Sequence, residues 1–374
     1  MFTRMFCEIF SKLKDPRINR TKKHLFLDVI GLALFAVLAG AQSYTEIEDF
    51  CRLHKDWLKK YFALPNGIPS HDTFSRVFSA INASAFQESF FAWLKAIVKL
   101  FPEGVVAIDG KSIRASRRVH KGLKALHIVN AWSCANGICL GQMRVKDKTN
   151  EITAIPEILQ KLFIEGAIVT IDAMGCQKEI AKAIIDKKGD YILRVKANQG
   201  HLHDAMEETF QHAESLQYRG MVYSTADDQT NNDHGRIELR KCIVLPLMYL
   251  IKMKLKWKGL KSLVLIISER ETHEGKTVEY RYYISSLSHK ESEKILNSIR
   301  HHWQVENNLH WVLDVAYKED QSRIRDENSA LNMSWLRKTA IGLLKRATNI
   351  KGSIRRKQLA IWAQPQHLID IVKI

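Results

Sequence analysis

The amino-acid sequence predicts an α/β protein, in which a mixed sheet flanked by helices follows a helical N-terminal region. Three observations support this prediction. Apolar residues recur at helical spacing before residue 100, and short apolar strands begin after Gly104. From there to residue 196, three strands are followed by helix, strand, helix and strand. Elements in that order pack as one α/β layer.

The first 101 residues are predicted to form a helical N-terminal domain. Residues 25–39 form a helix that is apolar on all sides, and Ser43 begins an amphipathic stretch. Ser70 follows a Gly-Ile-Pro break and is placed to cap a helix over residues 71–81, after which a further helix follows. Two interpretations of the 71–81 helix remain open: packing of its apolar face, or DNA contact through polar side chains. Those polar side chains are His71, Thr73 and Arg76.

Residues 102–374 are predicted to form the α/β layer itself, in the element order of an RNase H-like fold. A Cys-Ala-Asn-Gly turn joins the second and third strands as a hairpin. The segment from residue 200 to about 290 contains further strand-like runs and is interpreted as a mostly β insertion. A long helix then runs from about 292 to 316. The predicted strands are residues 105–110, 125–133, 138–145, 167–173 and 190–196, and the predicted helices between them are residues 152–162 and 177–187.

The chain carries a large excess of positive charge. Lysine and arginine number 57 against 40 aspartates and glutamates, which gives a formal net charge of +17. A folded protein this basic usually binds a polyanion, and phosphate backbones give the largest binding term for such a surface. Several basic runs are candidate contacts. They are residues 114–124, 337–346, 354–357 and 252–261, where strand alternation would put Lys252, Lys254, Lys256 and Lys258 on one face.

The sequence disfavours disulfides, zinc and membrane insertion. The six cysteines are scattered without a CxxC pair, so reduced thiols in a reducing cytoplasm are expected. The longest apolar run, residues 29–41, has thirteen residues and falls short of the roughly 20 that span a bilayer. No signal-peptide pattern is visible at the N-terminus. We therefore expect a cytoplasmic protein without membrane contact.

Two aspartates are placed where a metal site would need them. Asp109 ends the first predicted strand and Asp172 ends the fourth, and apolar residues precede both. In the RNase H order these strands are neighbours, so the two carboxylates would meet at one edge of the sheet. A solvated strand-end aspartate is the ordinary explanation for either residue alone, but their matched placement favours a functional pair.

The residues alone leave two candidates for a third acid. On the long helix, polar side chains fall at four-residue steps and form a stripe of His302, Glu306, His310 and Asp314. Glu306 is central to this stripe, and Asp314 lies two turns further along the same face. Both remain open on this ground.

Sequence blocks throughout the chain resemble the H-repeat-associated transposases, a branch of the DDE transposases of bacterial insertion sequences. The resemblance covers nearly the whole chain from residue 15 onward, and eight blocks in the right order make it specific. The blocks are GIPSHDTFSRVF (67–78), AIDGKSIRAS (107–116), LHIVNAWS (126–133), KTNEITAIPEIL (148–159), IVTIDAMGCQKEIA (168–181), DYILRVKANQ (190–199), HGRIELR (234–240) and HWQVENNLHWVLDVAYKED (302–320).

The resemblance implies a DNA transposase that cleaves strands at the ends of an insertion sequence and transfers them to a target. The catalytic, metal-binding acids carry over to Asp109, Asp172 and Glu306, which would hold two Mg²⁺ or Mn²⁺ ions. The wider superfamily often has Tyr, Arg and Lys around this Glu. Here the matching positions are Ile299, His302 and Leu313. That departure leaves the individual roles of the residues around Glu306 open.

Double-stranded DNA, as element ends and as target, is the partner that the resemblance implies, with a homodimer in the synaptic complex by family analogy. Basic residues after Asp109 and residues near the other acids are the candidate contacts. The candidates are Lys111, Arg114, Arg117, Arg118, Lys196, His302, Asn307 and His310. Two alternatives remain: an RNase H-like nuclease without strand transfer, and a catalytically silent DNA-binding relic of a mobile element.

Overall fold

A nine-stranded mixed sheet runs through the computed structural model of the chain, in the order β3-β2-β1-β4-β5-β9-β8-β7-β6. The structure describes residues 4–97, 104–117, 124–145, 151–232, 236–250, 257–272 and 275–373. The strands are β1 Gly104–Ile113, β2 Leu126–Ser133, β3 Ile138–Val145, β4 Ala167–Ile171, β5 Asp190–Val195, β6 Ser224–Asn232, β7 Arg236–Pro246, β8 Ser262–Thr272 and β9 Gly275–Ser285.

The first five strands reproduce the predicted RNase H-like layer. β1, β2 and β3 form an antiparallel meander, whereas β4 and β5 run parallel to β1. The apolar runs of β1 and β4 are buried on both faces, as expected for strands at the centre of a covered sheet. The predicted α/β fold class with an RNase H-like core is therefore confirmed.

β1 is longer than the sequence prediction of residues 105–110. It pairs with β4 only as far as Ile108 but continues along β2 to Ile113. The prediction that Asp109 ends the strand was therefore wrong, because the β2 hairpin partner supplies hydrogen bonds beyond the last β4 pair. Asp109 instead lies at the first position where β1 has lost β4 as a neighbour.

The segment after β5 extends the same sheet. β9 pairs antiparallel with β5, and β8, β7 and β6 follow outward. This segment begins with a helix, Gly200–Ser215, which the sequence prediction of a mostly β insertion omitted. Its buried side chains are spaced by three or four residues, and they are Leu202, Met206, Phe210 and Ala213. Of the predicted lysine strand, residues 252–256 lie outside the described residues. Lys258 lies in a turn beside Asp186.

Helices cover the sheet and build the N-terminal region. They are α1 Arg4–Phe10, α2 Phe26–Leu38, α3 Tyr44–Leu53, α4 Lys55–Leu58, α5 His71–Ala80, α6 Ala83–Ile97, α7 Glu151–Lys161, α8 Lys178–Asp186, α9 Gly200–Ser215, α10 Ser292–Val305, α11 Trp311–Tyr317, α12 Glu327–Arg346, α13 Ile354–Ala363 and α14 His367–Lys373. As predicted, α2 is buried nearly all round and Ser70 caps α5 by accepting a hydrogen bond from the Thr73 amide. In the described part of the chain, no helix is both long and apolar enough to cross a bilayer.

One apolar core joins the N-terminal helices to the C-terminal ones. Side chains of α2, α5 and α6 pack with α12 and also reach the sheet at Ala107 and Trp132. α12 is buried continuously over residues 329–344, including Arg337 and Lys338, which are each 1% exposed. The basic run 337–346 therefore does not form a solvated DNA surface at its first two residues, because α12 is the central helix of this core.

The long helix predicted near the C-terminal third is present and has one irregularity. α10 and α11 form a continuous rod, and residues Glu306–His310 between them make a π-helical turn. A single π-turn inside an α-helix occurs frequently at functional sites, since it realigns the side chains that it carries.

Candidate active site

Asp109 and Asp172 lie side by side where the parallel pairing of β1 and β4 ends. Ile108 of β1 pairs with Ile171 of β4, and the next residue of each chain is the aspartate. The Gly110 amide donates to Asp109 Oδ1 at 2.8 Å, and the Met174 amide donates to Asp172 Oδ1 at 3.1 Å. Each carboxylate thus has one oxygen held by the backbone.

Glu306 and His310 face this strand edge from the π-helical turn. His310 Nδ1 lies 3.2 Å from Glu306 Oε2 and 3.5 Å from Asp109 Oδ2. Ligand atoms of Asp109, Glu306 and His310 all lie within 4.8 Å of one another. The histidine is 4% exposed, whereas the Glu306 side chain is 59% exposed. The π-turn therefore presents one buried ring and one open carboxylate to the same aspartate.

A single cavity of about 300 Å³ contains all three proposed acids. Asp109 and Asp172 line the cavity from the sheet, and Glu306 lines it from the long helix. Thr170, Arg194, Tyr283, His302 and Trp303 are among its other lining residues. Residues separated by almost 200 positions in sequence are brought to one cavity by the sheet and the long helix.

Crowding and burial shift the acid–base properties of this cavity. Burial raises the pKa of Asp109 to about 6, and the carboxylates of Asp172 and Glu306 add to the rise while His310 opposes it. Burial also raises the pKa of Asp172, and Glu151 adds to this effect. The hydrogen bond with His310 instead lowers the pKa of Glu306. A cation bound between these carboxylates would reduce their mutual repulsion and stabilise their ionised forms.

The alternative third acid, Asp314, has a different neighbour. Asp314 Oδ2 lies 2.6 Å from Lys111 Nζ, and Asp320 Oδ1 lies 3.5 Å from the same ammonium. The Lys111 side chain is only 9% exposed. Lys111 was expected to contact DNA, but it is enclosed by two carboxylates of its own chain, and Asp314 is occupied by that pairing.

The other residues expected to contact DNA fall into two groups. Arg117, Lys196 and Asn307 are exposed, and Arg114 is 85% exposed although it pairs with Asp320 at 3.1 Å. His302 is turned inward, since its Nδ1 lies 3.0 Å from Thr170 Oγ1 and burial lowers its pKa to about 4. Like His302, His310 is held within the protein. Arg118 lies outside the described residues.

Sequence reasoning missed a buried polar pair beside Asp109. His127 Nε2 forms a short hydrogen bond with Glu151 at the start of α7, and His127 Nδ1 lies 2.8 Å from Ser112 Oγ. The pair presses against β1 at Gly110, where an added Cβ would collide with Glu151 and lie 2.7 Å from His127 Nε2. The pairing of β1 with β2 sets Ser112 opposite His127, and this register could have indicated that the two side chains meet.

A second, polar cavity adjoins the acid cavity, and Trp303 lines both. It has a volume of about 410 Å³, and its polar lining includes three arginines of the sheet and the long helix, Arg240, Arg281 and Arg300. Arg281 lies over the Trp303 ring, 5.3 Å from its centroid. Trp303 is 48% exposed and lines both cavities. The three arginines are paired with acids of the chain: Arg240 with Asp228 and Glu238, Arg281 with Glu279, and Arg300 with Asp228. A polar cavity with an open aromatic ring therefore adjoins the acid cluster.

An RNase H-like sheet with three acids at one cavity is the arrangement expected of a DDE transposase, and comparison with known proteins gives the same class. Residues 100–343 match the family described as the transposase DDE domain, and residues 7–94 match the domain described as DDE_Tnp_1-associated. The chain therefore belongs to the DDE transposase family.

Its relatives lie in the H-repeat-associated branch. The transposase-family protein YncI of Escherichia coli O157:H7 is 42% identical over 98% of this chain and 93% of its own length. The H repeat-associated transposase-family protein YhhI of Escherichia coli (strain K12) is 40% identical over 98% of this chain and 97% of its own. A shorter relative, named the inactive transposase YbfQ, is 46% identical over 15% of this chain and 67% of its own length. Among solved structures, the piggyBac transposase synaptic complex with hairpin DNA aligns with 99% of this chain and 77% of its own at 11% identity and a TM-score of 0.43, which is too distant to add to the assignment.

Proposed function

We propose that this protein is an active transposase, which cleaves DNA at the ends of its insertion sequence and transfers the cut strands to a target. The observation that supports this proposal most strongly is the convergence of Asp109, Asp172 and Glu306 on one cavity. Family membership makes phosphoryl transfer on DNA the expected chemistry of such a cavity. The alternative is a nuclease that cuts DNA without transferring the cut strands.

The donor set fits hard divalent cations. Carboxylate oxygens from three acids face a shared space, and Mg²⁺ and Mn²⁺ prefer oxygen ligands. Burial is the main cause of the raised pKa of Asp109, and the carboxylates of Asp172 and Glu306 add to it, so a bound cation would stabilise the ionised form. Asp109, Asp172 and Glu306 would hold two such ions, and these would supply Lewis-acid activation of the attacking oxygen and stabilisation of the leaving one.

Residues of the chain itself pre-organise these acids. The Gly110 amide holds one oxygen of Asp109 and the Met174 amide holds one oxygen of Asp172, which limits rotation of both carboxylates. His302 bonds to Thr170, two residues before Asp172, and thereby ties the long helix to β4. Because the three acids lie on strands and a helix and two of them are held by backbone amides, we expect them to keep their positions before DNA binds.

Exposed basic residues are the candidate contacts for the phosphate backbone. Arg117 is exposed four residues after the end of β1, and Lys196 is exposed and acts electrostatically on Asp172. With a net charge of +17, association should be driven by release of counterions from DNA. We propose that element ends lie against these residues, in a synaptic homodimer within the bacterial cytoplasm.

An assay with both reaction steps tests the proposal. Purified full-length protein is incubated with Mg²⁺ and a labelled duplex that carries the sequences flanking its gene, together with a supercoiled target plasmid. We expect cuts at one defined position and covalent joining of the labelled end to the plasmid. Cuts without joined product would identify a nuclease, and tight binding without cuts in Mg²⁺ or Mn²⁺ would identify a silent binder.

A further inference from the structure

A buried chain of side chains connects the helix α12 to the acid cluster. Lys338 is 1% exposed, and its ammonium donates to Asn130 Oδ1 at 2.5 Å and to Gln142 Oε1 at 2.7 Å. Asn130 is fully buried in β2, directly opposite Asp109 in β1. Its amide nitrogen lies 3.4 Å from His310 Nε2. Lys338 thus reaches His310 through one amide.

Two independent contacts fix the orientation of the Asn130 amide. Lys338 needs an acceptor and therefore faces Oδ1, while the Ile128 carbonyl needs a donor and lies 3.3 Å from Nδ2. A flipped amide would set the nitrogen against the ammonium and the oxygen against the carbonyl. Inside the protein, where no solvent compensates, both contacts would be repulsive.

The amide orientation fixes the proton of the His310 ring. Since Asn130 Nδ2 is a donor, His310 Nε2 has to accept, and the neutral ring then carries its proton on Nδ1. Nδ1 is the atom that faces Glu306 Oε2 at 3.2 Å and Asp109 Oδ2 at 3.5 Å. Both oxygens can accept from it.

We propose that Lys338 and Asn130 lock His310 as a hydrogen-bond donor to Asp109 and Glu306, so that it positions these carboxylates and is not itself a metal ligand. Coordination through Nδ1 would need the lone pair there and would move the proton to Nε2, against the Asn130 amide. His310 is then a positioning residue. This role deepens the proposed function, since it concerns the same site.

The proton position is measured directly by NMR of the metal-free, full-length protein with ¹⁵N-labelled histidine. The His310→Gln variant identifies the His310 signals among the fifteen histidines. In wild type we expect a protonated Nδ1 and an unprotonated Nε2. A proton on Nε2 would overturn the proposal, whether or not the protein cleaves DNA. Failure of this arm is therefore distinct from failure of the proposed function.

The Asn130→Asp variant reverses the lock. One oxygen of the introduced carboxylate can still accept from Lys338, but the other faces Nε2 as an acceptor, so Nε2 should become protonated. An Nε2 that stays unprotonated in this variant would contradict the proposal. If this variant does not fold, the wild-type spectrum alone decides.

A cleavage assay provides the second arm. We expect Asn130→Asp to lose roughly 10–100-fold in Mg²⁺-dependent cleavage, the range for groups that orient metal ligands. In a His310→Gln background the same change should cost little more, because the ring through which it acts is gone. If the losses in cleavage of the two single variants add in full in the double variant, Asn130 does not act through His310, and the proposal is contradicted.

Discussion

Lys111 Nζ lies 2.6 Å from Asp314 Oδ2, and this ion pair separates the two acids of the long helix that the sequence left as alternatives. Asp314 neutralises a buried lysine, whereas Glu306 faces Asp109 across His310. Of the two acids on the polar stripe, Asp314 is paired with Lys111 and Glu306 faces the cavity.

Replacement of Asp314 should affect stability more than catalysis. Asp314→Asn removes one carboxylate from Lys111 and leaves Asp320 at 3.5 Å, so we expect a loss of roughly 1–2 kcal/mol in the free energy of unfolding. Cleavage by the folded variant should stay within a few-fold of wild type. Chemical denaturation and a cleavage assay check both; loss of cleavage by orders of magnitude would reassign Asp314 as a metal ligand.

Gly110 should not tolerate a side chain. Gly110→Ala would drive a methyl group into the His127–Glu151 pair beside Asp109, so we expect lower stability and strongly reduced cleavage. Gly200→Ala is the matched control, because nothing lies within 4 Å of the added Cβ there and the residue begins α9. Equal melting temperatures and activities for the two variants would show that β1 shifts freely at Gly110.

His302 should resist protonation down to low pH. Burial lowers its pKa to about 4, below the ordinary value of an unfolded histidine near 6.5. Between those values the unfolded chain binds the extra proton, so the contribution of His302 to stability is present above pH 6.5 and is lost as pH falls toward 4. Proton NMR should show His302 titrating well below the exposed histidines. A titration midpoint near 6.5 would mean that the His302 ring is exposed to solvent and not buried against Thr170.

Two basic residues after Asp109 should respond differently to replacement. Arg117→Ala should weaken DNA binding and flatten the dependence of affinity on salt by about one unit for one lost phosphate contact. Lys111→Met should leave that slope unchanged, since its ammonium is already paired with Asp314 and Asp320. Binding isotherms from about 50 to 200 mM salt make the comparison. An equal change of slope in both variants would mean that Lys111 reaches DNA.

Divalent ions should stabilise the protein in the absence of DNA. An ion that binds only the folded state raises its melting temperature, and the crowded carboxylates provide the binding energy. We expect Mn²⁺ to raise the melting temperature of wild type and to raise that of Asp109→Asn much less. The same shift in both proteins would place the ion elsewhere.

The central layer could be predicted from sequence because its signals are local. The apolar run of β1, the Cys-Ala-Asn-Gly turn and the Ser70 cap each determine their own element, and the order of elements determines the sheet. The placement of Asp109 and Asp172 followed from that order. α9 escaped prediction because its buried face is narrow in an otherwise polar, histidine- and glutamate-rich segment.

Contacts between distant segments could not be predicted in this way. The burial of Lys338 depends on α12 being enclosed by the N-terminal helices, and the pairing of Lys111 depends on the turn at Asp320. Charge alone suggested a DNA surface for both lysines. Only the packing shows that their charges are used inside the protein.

Metal-dependent cleavage by single-acid variants tests the central claim most directly. Asp109→Asn, Asp172→Asn and Glu306→Gln each keep side-chain size but remove an anionic oxygen ligand. With Mg²⁺ and a duplex carrying the element's ends, we expect each to lose at least about 1000-fold in cleavage rate, equivalent to ~4 kcal/mol, while gel-shift affinity stays near that of wild type. Asp314→Asn, on the same helix as Glu306, should cleave normally beside them. Near-normal cleavage by Glu306→Gln, or by either aspartate variant, would contradict the three-acid site.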